Sequence, residues 1–134
     1  MKNVEIIKHI NELEQFARNE QEMIKENADY QRMNIKATYK IAKNKVVLKT
    51  AIEPYSDALK ELVSKYKVKF LADGSIDFSS VNESKRTDFK DELEDLLDID
   101  VDIEKDLKKI DIEDFGNAYE ISQSDMEVLS FMID

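Results

Sequence analysis

The stretch Ile41–Tyr66, "IAKNKVVLKTAIEPYSDALKELVSKY", decides the fold. Ile41, Leu48, Ile52, Tyr55, Leu59, Leu62 and Tyr66 recur at alternating steps of three and four after an initial seven, which lines one side of a long helix and suits helices that pack at shallow angles. Lys45 takes a position where one more apolar residue is expected. Pro54 lacks a backbone donor and clashes with the preceding turn at a cost of about 3 kcal/mol or more, so a kink or restart is expected near Glu53. Upstream, Ile6, Ile10, Leu13, Ala17 and Ile24, with Phe16 and Met23 beside them, have the spacing of an amphipathic helix. This predicts a first helix from about Asn3, its candidate N-cap, to about Asn27, and a polar connection over "NADYQRMN" (27–34). Two such helices and a short connection make an antiparallel hairpin that shares one apolar face. A coiled-coil dimer through the same seam competes with it and is weakened by the proline, by Lys45 and by the seam's limited length.

Downstream, Val68 and Phe70 alternate with lysines, Asp73-Gly74 supplies a turn, and Ile76 and Phe78 alternate again, which predicts a β-hairpin. Phe89, Leu93, Leu96 and Leu97 then predict a third helix beginning at Asn82 or Ser84. A last helix is expected after Ser122 or Ser124, with Met126, Leu129, Phe131, Met132 and Ile133 docked in the core, because an exposed apolar end invites association. The fold expected is a single α+β domain over residues 1–134. It is helix-rich, with a long antiparallel helical hairpin, a small antiparallel β-sheet and a short C-terminal helix.

Between these helices lies "DIDVDIEKDLKKIDIEDF", Asp98 to Phe115, with an acid at nearly every second position. As a strand it sends Ile99, Val101 and Ile103 to one face and Asp98, Asp100, Asp102 and Glu104 to the other, and Ile110 with Ile112 makes a second candidate strand. A calcium loop starting at Asp98 would need glycine at its sixth position and glutamate at its twelfth. Ile103 and Lys109 stand there. Acid–base catalysis needs one carboxyl in an apolar pocket that raises its pKa, and alternating exposed acids provide the opposite environment. The expected readings are therefore a solvated strand face or an acidic contact surface made by Asp98, Asp100, Asp102 and Glu104.

Composition narrows the function. The chain has 134 residues, no cysteine and one histidine. Disulfides and thiolate zinc sites are thus excluded, a reducing cytoplasm is compatible, and His9, near the flank of the first apolar stripe, is expected to be structural and partly exposed. The first residues lack the continuous apolar run of a signal peptide or membrane span, so a soluble, cytoplasmic protein is expected. A net charge of -10 disfavours direct nucleic-acid binding. The charge is uneven: lysines 36, 40, 43, 45, 49, 60, 65, 67 and 69 face only Glu53, Asp57 and Glu61, whereas acids dominate from Asp88 to Asp114. Packing of the two segments against each other is expected to neutralise part of this contrast.

The segments "KATYKIAKN" (36–44), "IEPYSDALKELVSKY" (52–66), "FKDELEDLLDIDVDI" (89–103) and "SDMEVLSFMID" (124–134) resemble, in that order, the landmarks of a family of small uncharacterised phage and prophage proteins of low-GC Gram-positive bacteria. The resemblance covers roughly residues 35–134. It implies action in the host cytoplasm during infection or lysogeny and brings no catalytic residues with it. Together with the acidic surface, it leads to the expectation of a non-enzymatic accessory protein, monomer or homodimer, that binds a host or phage protein such as a host defence component. No cofactor, metal, nucleic acid or membrane is expected to take part. The alternative is a virion structural or assembly protein that self-associates through the hairpin or the apolar tail. A hydrolase using the abundant carboxylates is the third class.

Overall fold

The computed structural model describes residues 1–134. Its order is α1 (Asn3–Glu26), α2 (Ile35–Tyr66), β1 (Lys69–Phe70), β2 (Ile76–Asp77), α3 (Glu83–Leu97) and α4 (Gln123–Leu129). Single 3₁₀ turns occupy 104–106, 112–115 and 130–132. The fold is α+β and helix-rich, and α1 packs on α2 as the predicted hairpin.

The 32 residues of α2 span about 48 Å, too long for α1 alone to cover. Two helices share the task. Ile6, Leu13 and Phe16 of α1 pack on Ala37, Ile41 and Leu48 in the larger core, and Leu62 packs with Phe89 of α3 in a smaller one. Each of the larger side chains among these, taken from water, contributes about 1.5–3 kcal/mol. The end of α3 meets the start of α1: the Asn3 backbone N–H donates to Ile99 O (3.0 Å) and its side-chain amide donates to Leu96 O (2.9 Å). Asn3 is therefore buried inside the first turn, and Lys2 is the N-cap residue. Free carbonyls at the end of α3 need donors, which explains the departure from the expected cap.

Helix α2 does not restart at Glu53 but runs unbroken through Pro54. Thr50, Glu53 and Pro54 are all exposed, so the carbonyl that loses its donor faces water while apolar contacts on either side hold the helix. The helix ends where Lys67 takes a left-handed conformation (φ 53°). The β-hairpin follows with Phe70 opposite Ile76 and Lys69 opposite Asp77, and Gly74 (φ 86°) sits in its turn. With α3 it caps the far end of α2 through Val68, Val81, Phe89, Ile76 and Phe78, beyond the part of α2 that α1 covers. Asn82 caps α3, its side chain accepting from Lys85 N at 2.9 Å.

The acidic stretch departs most from expectation. Residues 98–103 form no strand, only an isolated antiparallel bridge between Asp100 and Lys2, because α1 begins at Asn3 and leaves no extended partner. Of the three aliphatics expected inside, Ile103 is buried and Val101 half-buried, but Ile99 is 50% exposed. Ile110 is fully buried and bridges to Ile133 in parallel, whereas Ile112 is exposed in a 3₁₀ turn. That turn forms because Asp114 accepts from Asp111 N (3.0 Å) and is drawn inward by Lys40 (2.7 Å) and Lys36 (3.2 Å). Nearby, fully buried Asn44 clamps Lys108: its amide donates to Lys108 O (2.9 Å) and its carbonyl accepts from Lys108 N (2.6 Å). Gly116 (φ 89°) closes the passage to Asn34, where any Cβ would lie 2.7 Å from the Asn34 side chain. Ser122 caps helix α4, its hydroxyl accepting from Asp125 N, and Leu129 of α4 and Met132 of the turn that follows are fully buried.

Candidate interaction surface

All four acids singled out from the sequence lie on the surface, and all four are paired within the chain. Asp98 takes Lys2 at 2.6 Å, and Asp102 takes Lys105 at 3.3 Å. Asp100 (2.7 Å) and Glu104 (2.6 Å) both grip the Met1 ammonium, whose pKa rises to about 10 through the hydrogen bond to Asp100 first and that to Glu104 second. The same ammonium holds the Glu104 carboxyl below its usual range. Asp98, Asp100 and Glu104 therefore fasten the start of α1 to the end of α3. Exposed pairs of this kind contribute little stability individually, yet they cancel charge locally.

The uncommitted charge is next door, on α3. Asp88, Asp91, Glu94 and Asp95 are exposed and make no ion pair. With Asp98, the residues 88, 91, 95 and 98 fall at steps of three, four and three, so they share one face, opposite Phe89, Leu93 and Leu96. Two shallow clefts flank Asp95. One is lined by Val4, Leu97, Glu94 and Asp98, the other by Ala58, Leu62, Leu96, Ile99 and Glu92. Exposed Val4 and Ile99 give this acidic surface apolar ground. The sequence spacing carried the signal for the α3 stripe. The contribution of Val4 had none, since it depends on where α1 meets α3.

Neutralisation between the basic and acidic segments is partial. Lys36 and Lys40 take Asp114, whose pKa falls to about 2, chiefly through the Lys40 hydrogen bond and the Asp111 N–H. Lys65 takes Glu92 and Lys49 takes Glu14, while Lys43, Lys45, Lys60, Lys67 and Lys69 make no ion pair.

A cavity of about 210 Å³ opens between α1 and α2 over Leu13, Phe16, Met33 and Ile41, with Glu20 and Lys45 at its sides. Burial pushes the Glu20 carboxyl up, against the pull of Arg32. It is the one carboxylate lining that cavity, so the two-carboxylate arrangement of acid–base hydrolysis is not assembled there. His9 stacks on Phe131 at 3.9 Å, and burial lowers its pKa, so it covers the docked tail as a neutral ring. No three His, Asp or Glu side chains converge in a way that could hold a metal ion, and no helix is long and apolar enough to cross a membrane. Comparison with protein-family models, curated proteins and solved structures finds no match to this chain.

Proposed function

We propose that the chain is a non-enzymatic binding protein that engages a basic protein partner through the outer face of α3 and the clefts beside it. The observation that carries this reading is the union of free carboxylates (Asp88, Asp91, Glu94, Asp95) with the exposed aliphatics Val4 and Ile99 and the half-buried Leu97 on one surface. Unpaired acids steer a basic partner and fix its orientation, and the aliphatics supply the apolar contact that slows its departure. Asp98, Asp100, Asp102 and Glu104 add little free charge, and their internal pairs hold the edge of the surface in shape. The resemblance to phage proteins makes the specific form of the reading an accessory factor acting in the host cytoplasm, with a host defence or replication component as its target.

The test is affinity capture from infected host cells with the wild-type chain and with Asp88→Lys/Asp91→Lys/Asp95→Lys, each at low and raised salt. A partner retained by the wild type, and lost both with salt and with charge reversal, is the expected result. Equal capture by both chains overturns the reading.

A further inference from the structure

Helix α2 turns a second, opposite kind of surface to solvent. Ile35, Tyr39 and Val46 are 82%, 59% and 60% exposed. With exposed Ala42 they stand at steps of four, three and four. That spacing is the signature of one helix face, and this face lies across the helix from the buried Ala37, Ile41, Asn44 and Leu48. The stripe runs for roughly 17 Å. Five lysines (36, 40, 43, 45 and 49) and no acid occur between Ile35 and Ile52. At 100° per residue, Lys36 and Lys43 flank one side of the stripe and Lys45 and Lys49 the other. Lys36 and Lys49 are engaged by Asp114 and Glu14, Lys43 leans over Tyr39 at 5.9 Å from the ring centre, and Lys45 is unpaired.

An apolar stripe with cationic flanks calls for an apolar surface with anionic flanks. A second copy of this chain carries one, at the α3 end, where Val4, Leu97 and Ile99 are bordered by the unpaired Glu94 and Asp95. We infer that the two surfaces are complementary halves of a head-to-tail contact, in which the outer face of α2 in one copy docks on the α3 end of the next. Antiparallel docking of α2 on its own copy would bring lysine against lysine, at an electrostatic cost. An anionic bilayer is disfavoured by the net charge of -10 and by the narrowness of the stripe. The docked tail cannot serve as the self-association surface, because Leu129 and Met132 are spent in the core. A heterologous contact leaves one free surface of each kind at the ends, so copies add in series unless the rotation between them closes a ring. The acceptor half rests on the reading of the α3 end as a docking surface, and a bound partner would compete with the second copy for it.

Sedimentation velocity of the full chain, from about 5 µM to about 1 mM, spans the affinities of small, charge-assisted interfaces. The expected result is growth beyond the monomer with concentration, reversed by salt. Val46→Glu and Asp95→Lys alter exposed side chains on the two different surfaces, and each alone should remain monomeric. Mixed, they retain one intact surface of each kind between them and should form a 1:1 dimer and nothing larger. A monomeric wild type throughout, self-association that survives both changes, or failure of the mixture to pair overturns the inference. So does Val46-dependent binding of the wild type to vesicles of anionic lipid without self-association. Val46→Glu leaves the α3 surface intact, so the capture of a protein partner by that variant is judged separately from its failure to self-associate.

Discussion

Asn44→Ala is expected to loosen the whole segment that follows the acidic stretch. Asn44 is fully buried on α2, and its amide makes two hydrogen bonds with the backbone of Lys108, at 2.9 and 2.6 Å, plus a contact of 3.2 Å with Met132 Sδ. Each hydrogen bond is worth about 1 kcal/mol net, and removing a buried side chain adds a cavity cost, so the loss should be about 2–4 kcal/mol. Asn44→Leu keeps the volume but leaves the Lys108 backbone unpaired, so it should recover only the cavity part of the loss. Equilibrium urea unfolding followed by circular dichroism gives both numbers. Amide exchange should accelerate around Leu107–Ile110 before it does so in α3. A loss below about 1 kcal/mol for Asn44→Ala, or no local change in exchange, would refute the assignment of Asn44 as the clamp.

Phe89→Ala should cost about 3–5 kcal/mol, because Phe89 is fully buried and meets Tyr66 and Phe78 edge to face at 5.8 and 5.7 Å; urea unfolding measures it, and a cost under half that would contradict the packing. For Asp114, the depressed folded pKa means that its contribution is complete above the ordinary value of 3.8 and is lost as pH falls through about 2. Carboxyl-detected NMR should place its midpoint near that lower value, and Lys40→Met should move it upward; a midpoint at the ordinary value in the wild type would count against the pairing. The Met1 ammonium has the opposite sign: its raised pKa gives stabilisation that is complete below 8.0 and is lost as pH rises through about 10. Acetylating the Met1 amine should lower the melting temperature at neutral pH and remove that alkaline loss, whereas identical melting curves would show that the contact with Asp100 and Glu104 contributes nothing.

The helices were legible because their apolar periodicity is enforced by burial. Asn3 to Asn27 was expected for α1 and Asn3–Glu26 is observed, and Asp73-Gly74, Asn82 and Ser122 mark the turn and caps as local chemistry requires. The failures share one cause, which is contact between residues distant in sequence. Period-two alternation at 98–104 is overridden because the partner it meets is only Met1–Asn3, where the chain already turns into α1. The neighbours of Asn3 suit a cap, but the carbonyls it satisfies belong to Leu96 and Ile99, which are distant in sequence. At Pro54, of the kink or restart expected near Glu53, the restart does not occur, because this side of α2 faces water and the helix continues through it. For the candidate surface, the α3 acids were visible as a periodic run. The sequence could not show that Asp98, Asp100 and Glu104 are occupied by Lys2 and Met1, which shifts the free charge to Asp88, Asp91, Glu94 and Asp95.

That shift is also where the central claim is most exposed. The direct measurement is the affinity of the captured partner for two variants: one with Asp91 and Asp95 reversed to lysine, and one with Asp102 reversed. The account predicts a loss of about tenfold or more, steepest at low salt, for the α3 pair, and a much smaller change for Asp102. Equal losses for the two, or none for the α3 pair, would contradict it.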